Sequence, residues 1–265
     1  MEWIQRIATF IVSQIICIPF FKRPFQDLDH PSAYGMKQTS NVRIAVNEKQ
    51  EIGAWFMQPE SKDKSDSDVL EDEKLQYLED ETLIDDGQKV VLYLHGNAET
   101  RSQYHRRALY QIFQRMGFYV LAIDYRGYGD SSYLSPSQTS MVQDAKSALE
   151  WLDKHSHPNA RLYIWGHSLG TGVTSALCSI TSEGSSTFAK IHGYILEAPF
   201  NCMLDEVESF KMSRLLPFFG MDIDKILKLA DMSFDNQLNL QSCRSKKVLI
   251  LHAEDDKVIN FELGK

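Results

Sequence analysis

Five short apolar segments constrain the fold of this chain more than any other feature of its sequence. Each is nearly continuous in apolar residues, which is typical of strands that are buried on both faces of a parallel sheet. The segments are Lys89–His95, Phe118–Asp124, Arg161–Gly166, Lys190–Glu197 and Lys247–His252. They predict the centre of a parallel β-sheet.

The segments between these strands have the periodicity of amphipathic helices. One apolar helix face consists of Leu109, Ile112, Phe113 and Met116, followed by Gly117 as a C-cap. A second face consists of Met141, Ala145, Ala148, Leu149 and Leu152. Ahead of the second helix, Ser135, Pro136 and Gln138 fit an N-cap, an N1 proline and a capping-box glutamine.

Alternating strands and helices predict an α/β fold with a doubly wound, mostly parallel sheet. Two alternating runs before it, Val42–Val46 and Ile52–Met57, predict a β-hairpin around residues 47–50. In such sheets ligands bind at the carboxyl ends of the strands, so the chemistry is expected there.

The domain organisation follows from length and charge. At 265 residues and 43% hydrophobic content, we expect one globular domain over residues 25–265, preceded by a terminal segment, residues 1–24. The net charge of −8 arises from an acidic insertion over residues 60–86, which holds twelve acidic residues and three lysines. The rest of the chain has no excess of positive charge, which argues against a nucleic-acid partner.

The N-terminal segment is apolar but short. Residues 7–21 form an apolar run that Gln14 and Pro19 interrupt, below the roughly 20 residues of a spanning helix. An interfacial helix, with the basic pair Lys22 and Arg23 at the headgroups, predicts association with a membrane surface. The alternative is a helix packed on a soluble domain.

The four cysteines, Cys17, Cys178, Cys202 and Cys243, have no CxxC or Cys/His ligand spacing. We therefore expect no disulfide framework and no metal site, and nothing in the sequence indicates a cofactor. Cys178, Cys202 and Cys243 are predicted to be small buried apolar residues.

The sequence Gly166-His167-Ser168-Leu169-Gly170 follows the third predicted strand and precedes a helix. A G-x-S-x-G motif in this context is the nucleophile elbow, a sharp turn that lifts the serine hydroxyl above the sheet. Gly166 and Gly170 are expected where a Cβ would clash with neighbouring backbone. Ser168 is therefore the predicted nucleophile.

Acyl transfer also needs backbone N–H donors for the developing oxyanion. In this architecture one donor is the residue after the nucleophile, here Leu169, and the other comes from the loop after the first strand. We expect Asn97 to donate, Gly96 to allow close approach, and His95 to be a structural hydrogen-bonding residue. Arg126 and Asp130 are expected to hold the neighbouring loop by charge-assisted hydrogen bonds.

A triad also needs an acid, which in nucleophile-elbow enzymes follows the serine in sequence and precedes the histidine. Asp256 follows the last predicted strand and is the preferred acid, with Asp255 as the alternative and Glu197 less favoured. None of the nine residues after Asp256 is a histidine. His167 should point away from Ser168, and the other histidines considered as bases precede the acid (His30, His105, His155, His157 and His192).

Five motifs in order resemble the α/β-hydrolase superfamily, and within it the membrane-bound lysophosphatidylserine or monoacylglycerol lipase family. They are YLHGNAETR (Tyr93–Arg101), DYRGYGDS (Asp124–Ser131), YIWGHSLGTGV (Tyr163–Val173), LEAPF (Leu196–Phe200) and LILHAEDD (Leu249–Asp256). The resemblance implies a serine hydrolase of lysophospholipid or monoacylglycerol esters at the endoplasmic reticulum membrane. It matches Ser168, Asp256, Asn97 and Leu169 to the family's nucleophile, acid and oxyanion hole. The family's C-terminal helix, strand and histidine loop are not in this sequence, so we expect a C-terminally truncated form.

A cap over residues 200–243 is rich in methionine and phenylalanine, which suits an acyl chain but also suits packing of the cap on itself. Its apolar residues are Phe200, Met203, Phe210, Met212, Leu215, Leu216, Phe218, Phe219, Met221, Ile226 and Met232.

Two alternatives to a lipid esterase stay open. One is a catalytically dead isoform that binds lipid or a partner, with an exposed apolar sheet edge and lower stability; the other is a protein thioesterase of the same fold.

Overall fold

The computed structural model describes residues 27–60, 82–181, 190–209, 222–243 and 247–265. The predicted membrane segment, residues 1–24, lies outside the described residues, as do most of the acidic insertion and the middle of the cap. Within the described ranges, no helix combines the length and the apolar character needed to cross a membrane.

A seven-stranded sheet, counted over the described residues, forms the centre of the molecule, in the order β1-β2-β4-β3-β5-β6-β7. The first two strands form the predicted antiparallel hairpin, β2 pairs antiparallel with β4, and the other pairs are parallel. The strands are β1 (Thr39–Asn47), β2 (Gln50–Met57), β3 (Lys89–Leu94), β4 (Phe118–Ile123), β5 (Arg161–His167), β6 (Ile191–Glu197) and β7 (Val248–Leu251).

Helices connect the parallel strands and cover both faces of the sheet. They are α1 (Tyr104–Arg115), α2 (Gln138–Lys154), α3 (Leu169–Thr181), α4 (Met203–Ser209), α5 (Ile223–Leu229) and α6 (Asn236–Gln241), with 3₁₀ turns at Pro31–Tyr34 and Phe261–Gly264. One core cluster contains Leu149 of α2 and Val173 of α3; the other contains Tyr110 and Phe113 of α1. The predicted doubly wound α/β architecture is confirmed.

The start of α2 differs from its prediction. The N-cap is Ser137, whose hydroxyl accepts from the Ser140 backbone N–H at 3.2 Å, while the Ser140 hydroxyl accepts from the Ser137 N–H. The predicted N-cap Ser135 is two residues too early. The predicted capping-box residue Gln138 instead accepts, through its side-chain oxygen, a hydrogen bond from the Phe234 backbone N–H at 2.6 Å. A tertiary contact in the cap therefore takes the place of the expected local one.

The prediction that no disulfide forms is wrong for one cysteine pair. Cys178 near the end of α3 and Cys243 after α6 are buried, as expected, but they form a disulfide with a Cα–Cα distance of 5.7 Å. They are 65 residues apart in sequence, so their spacing gave no sign of the pairing. Cys202 is a free, half-buried thiol.

Candidate active site

Ser168 lies in the sharp turn between β5 and α3. Its φ of +52° falls in the left-handed region, which a non-glycine residue occupies only when the surrounding structure enforces it. The Ser168 N–H donates to the Glu197 carbonyl at 2.9 Å, and its own carbonyl accepts from the Thr171 hydroxyl at 2.6 Å. Both ends of the turn are therefore fixed, one to β6 and one to α3.

The two glycines of the motif are required by close backbone contacts. A Cβ on Gly166 would overlap the Gly170 carbonyl oxygen and the Thr174 hydroxyl, and a Cβ on Gly170 would overlap the Leu94 carbonyl oxygen at the end of β3. The steric reason expected from the sequence is thus present on both sides of Ser168. The helix that follows the nucleophile can pack directly against β3 only because Gly170 has no side chain.

The loop that follows β3 lies close to Ser168. A Cβ on Gly96 would lie 3.2 Å from the Ser168 Cβ and 3.1 Å from the His167 Nδ1, so only a glycine fits without displacing either side chain. Asn97 follows directly in this loop, and Leu169 is the first residue of α3. The structure therefore brings the two predicted oxyanion-hole segments together at Ser168.

His95 is fully buried beneath this loop. Its Nδ1 lies 2.7 Å from the Gly96 carbonyl oxygen, and its ring packs between Tyr125 and Tyr128. Burial, with the nearby Arg106 charge, holds the pKa of His95 well below its usual range. The imidazole is therefore neutral at pH 7, donates to the Gly96 carbonyl and shapes the loop.

Arg126 and Asp130 both form charge-assisted contacts, through partners that the sequence did not single out. The Arg126 Nε lies 2.5 Å from Asp144 Oδ1 of α2, and the Arg126 backbone N–H donates to the other carboxylate oxygen at 2.8 Å. Asp130 accepts from Arg101 at 2.7 Å and from Arg43 at 2.9 Å. Burial raises the pKa of Asp130, but the hydrogen bonds and charge of Arg101, together with the charge of Arg43, outweigh burial and lower this pKa overall.

Asp256 lies in the turn after β7. Its Oδ1 accepts from the backbone N–H groups of Val258 at 2.8 Å and Ile259 at 3.0 Å, and its Oδ2 lies 3.6 Å from the His252 Nε2. The alternative acid Asp255 is exposed. Glu197 accepts from the Trp165 indole N–H at 2.7 Å. Of the three candidate acids, Asp256 is the one that is partly buried and fixed in a turn at the end of β7.

All eight histidines lie in the described ranges, and none of them forms a hydrogen bond with the Ser168 hydroxyl. His167 precedes Ser168, and burial, followed by the Arg106 charge, lowers its pKa to about 4. His252, which is not among the bases considered from the sequence, lies 3.6 Å from Asp256, and its Nε2 donates to the Ile259 carbonyl at 3.1 Å rather than contacting Ser168.

Two further residues of this region had no signal in the sequence. Glu206 on α4 is only 6% exposed, and its Oε2 has no hydrogen-bond partner among the described residues. Burial, together with the Asp256 charge, raises the pKa of Glu206 to about 7. Arg106 on α1 is 3% exposed and hydrogen-bonds the loop that follows Gly96. Both are ordinary charged residues of helices in the sequence, and only the fold buries them.

Comparison with known proteins places this site in a family. Residues 85–228 match the Hydrolase_4 family model, described as serine aminopeptidase S33. The lysophosphatidylserine lipase ABHD12 of Xenopus tropicalis is 36% identical over 100% of this chain and 67% of its own length. The chain belongs to the α/β-hydrolase family.

Other curated proteins and solved structures that resemble this α/β hydrolase support the same family assignment. The lysophosphatidylserine lipase ABHD12 of Danio rerio is 36% identical over 99% of the chain and 66% of its own length, and the human protein ABHD12B is 32% identical over 96% and 68%. The chain thus spans about two thirds of the length of these curated relatives. Among solved structures, an α/β hydrolase from Vibrio vulnificus matches with a TM-score of 0.66 at 19% identity, over 93% of this chain and 76% of that one.

Proposed function

We propose that this α/β hydrolase cleaves lipid esters, of the lysophospholipid (lysophosphatidylserine) or monoacylglycerol type, through an acyl-enzyme on Ser168. The observation that carries the proposal is the strained turn at Ser168, which the Gly96 loop approaches so closely that a Cβ added to Gly96 would lie 3.2 Å from the Ser168 Cβ. Strain is retained at such a turn because it exposes the hydroxyl to substrate. The lipid class rests on the relatives, which are named lysophosphatidylserine lipases.

In this mechanism the Ser168 Oγ attacks the ester carbonyl carbon while its proton passes to a general base. The tetrahedral intermediate collapses, the ester C–O bond breaks, and the base returns the proton to the leaving alcohol. Water then attacks the acyl-enzyme by the same route and releases the fatty acid. The backbone N–H groups of Asn97 and Leu169 stabilise the oxyanion, and losing one such donor typically costs about 2.7–4 kcal/mol of barrier stabilisation.

Asp256 is proposed as the acid that orients the base. Its Oδ1 is occupied by two backbone N–H groups, and its other oxygen is the one available to a histidine. Among the residues that the structure describes, no histidine hydrogen-bonds the Ser168 hydroxyl, so the general-base role is assigned to none of them. The test below therefore uses the native protein from its source, whose intact mass also shows whether more than 30.4 kDa of chain is present.

The proposal extends to a membrane surface, at the endoplasmic reticulum, as the place where the enzyme meets its substrate. The apolar residues 7–21 followed by Lys22 and Arg23 support it, since such a segment binds anionic lipid surfaces by burying apolar area beside its cations. In the described part of the cap, Phe200, Met203 and Met232 are buried in the main core. These three residues therefore stabilise the cap.

The central test is the substitution Ser168→Ala in the native protein. We expect hydrolysis of lysophosphatidylserine and monoacylglycerol to fall by at least about 10³-fold, because no other group replaces the nucleophile. Ser179→Ala is the matched control: Ser179 lies near the far end of α3, the helix that follows Ser168, and its hydroxyl donates to the Ala176 carbonyl. Equal activity of Ser168→Ala and the unmodified protein would overturn the proposal.

Two other outcomes of the same assay support the alternative functions. Preferential cleavage of a palmitoyl thioester over both lipid esters would indicate a protein thioesterase. Binding of lysophospholipid without any Ser168-dependent turnover would indicate a lipid-binding module. The observation that favours this alternative is that no histidine among the described residues hydrogen-bonds Ser168. Fatty-acid release and equilibrium binding, measured on one preparation, separate these functions.

A further inference from the structure

Arg106, the third residue of α1, is a buried cation beneath the loop that follows β3. Its side chain is only 3% exposed, and its guanidinium donates to the Ala98 carbonyl at 2.6 Å and to the Thr100 carbonyl at 2.7 Å. Among the described residues it has no ion pair with a carboxylate. A buried guanidinium is costly unless its environment compensates its charge, and here two backbone dipoles do so.

These two hydrogen bonds fix the middle of the loop that carries Asn97. Its first part is held by His95, whose ring binds the Gly96 carbonyl, and its last part by the Arg101 N–H, which donates to Asp124 at 2.7 Å. Between them Glu99 has a φ of +69°, a conformation that needs support from its surroundings. Because a peptide unit is planar, these hydrogen bonds fix the orientation of the Ala98–Glu99 and Thr100–Arg101 peptide planes. The Asn97 N–H lies in the same plane as the Gly96 carbonyl, which His95 holds, so Asn97 and Ala98 are held from both sides.

The charge of Arg106 also acts on the nucleophile turn. After burial, it is the largest contribution that lowers the pKa values of both His95 and His167, which flank Gly96 and Ser168 in sequence. A positive potential at this position favours negative charge on an oxygen bound in the loop. In a water-poor site such fixed charges and dipoles stabilise a developing oxyanion without reorganising.

We propose that Arg106 is a positioning residue for oxyanion stabilisation: by holding the Ala98 and Thr100 carbonyls it restricts movement of the loop that carries the Asn97 N–H, and it adds positive potential at this site. The inference rests on the serine-hydrolase function proposed above. It goes beyond that function by assigning a role to a side chain that touches neither the substrate nor the serine.

The test compares Arg106→Gln and Arg106→Lys in the native protein. We expect kcat for ester hydrolysis to fall by about 10- to 100-fold in Arg106→Gln with KM changed less than about twofold, because small displacements of catalytic groups act on the transition state. Arg106→Lys keeps the charge but cannot bind both carbonyls in the same geometry, so its kcat should lie between those of Arg106→Gln and the unmodified protein. The affinity of a trifluoromethyl ketone, which forms an oxyanionic adduct with Ser168, should fall in parallel with kcat.

Arg107→Gln is the matched control, since this neighbouring arginine donates to the Tyr34 carbonyl and stacks near Tyr34 and Tyr104 instead of holding the oxyanion loop. Unchanged kcat and inhibitor affinity in both Arg106 variants would overturn the inference while leaving the serine mechanism intact. If Arg106→Gln does not fold, Arg106→Lys decides, and a kcat equal to that of the unmodified protein overturns the inference. Activity in the unmodified protein that does not depend on Ser168 overturns the proposed function, and the inference with it.

Discussion

Burial sets the protonation of the residues around Ser168. His167, with a pKa of about 4, is neutral at pH 7 and adds no second positive charge near Arg106. Glu206 shows the opposite effect, because burial and the nearby Asp256 raise its pKa to about 7. Perturbed titration is concentrated at functional sites in proteins. His167 directly precedes Ser168, and Glu206 lies near enough to Asp256 for the charge of that carboxylate to raise its pKa. Neither perturbation can be read from the sequence, which shows only the residue type.

The raised pKa of Glu206 predicts a pH-dependent stability effect. The folded protein binds the proton more tightly than the unfolded chain, whose pKa is about 4.5, so the free energy of unfolding falls as pH rises from about 4.5 to 7. Glu206→Gln removes the ionisable group. We expect it to raise Tm by about 2–8 °C at pH 8 and to leave Tm unchanged at pH 4. Thermal melts at the two pH values measure this.

Glu208→Gln is the control, because Glu208 is exposed on the same helix and should show no such difference between the two pH values. A Glu206→Gln variant that melts at the same temperature as the unmodified protein at pH 8 would contradict the assignment.

At the scale of elements, α6 packs against and holds α3, the helix that directly follows the nucleophile. The Asn236 side chain accepts from the Ser175 hydroxyl of α3 at 2.6 Å and donates to the Phe200 carbonyl at 2.7 Å, while the disulfide joins the two elements near Cys178 and Cys243. The strands and the periodic helices were predictable because their apolar patterns are local. The contact between α3 and α6 could not be predicted from local patterns, because Ser175 and Asn236 lie 61 positions apart in the sequence.

The disulfide gives a prediction at this scale. Peptide mapping of the unreduced protein should find the Cys178 and Cys243 peptides linked, whereas Cys202 reacts with an alkylating reagent after unfolding. Reduction should lower the free energy of unfolding by about 2–4 kcal/mol, because the bond closes a long loop of the unfolded chain. A Cys202→Ala variant should respond to reduction as the unmodified protein does. Alkylation of Cys178 and Cys243 without prior reduction would show that no bond is present.

At the scale of the molecule, buried charges join the hairpin to the parallel sheet. Arg101 is fully buried and binds Asp124 after β4, Asp130 in the next loop and Asn41 of β1. Removing one partner of such a network leaves an uncompensated charge, so these residues specify how the hairpin docks against the parallel sheet.

At the opposite edge of the sheet, β7 pairs only with β6 among the described strands, and its four apolar residues are 37–52% exposed. This agrees with the exposed apolar edge expected from the sequence.

The exposed edge at β7 predicts self-association of the 265-residue chain. Unpaired backbone groups and apolar side chains on an edge strand are a template for pairing with another chain. Leu249→Lys, at a residue that is 52% exposed, should lower the weight-average mass seen by sedimentation at high protein concentration. Leu238→Lys, at a 61% exposed leucine of α6, controls for added charge and should have little effect. A strictly monomeric unmodified chain would rule this out.

The sequence by itself determined the features that depend on neighbouring residues. Apolar runs and helical periods predicted the strands and the doubly wound sheet, and the G-x-S-x-G motif predicted the turn at Ser168, because steric and solvation preferences act over a few residues. Only the tertiary structure decided which distant groups meet. Contacts between separate elements include the hydrogen bonds from Arg106 to the loop after β3, the Arg126–Asp144 ion pair and the Cys178–Cys243 disulfide. Burial in the assembled core also raises the pKa of Glu206 and decides which partners the buried charged groups meet.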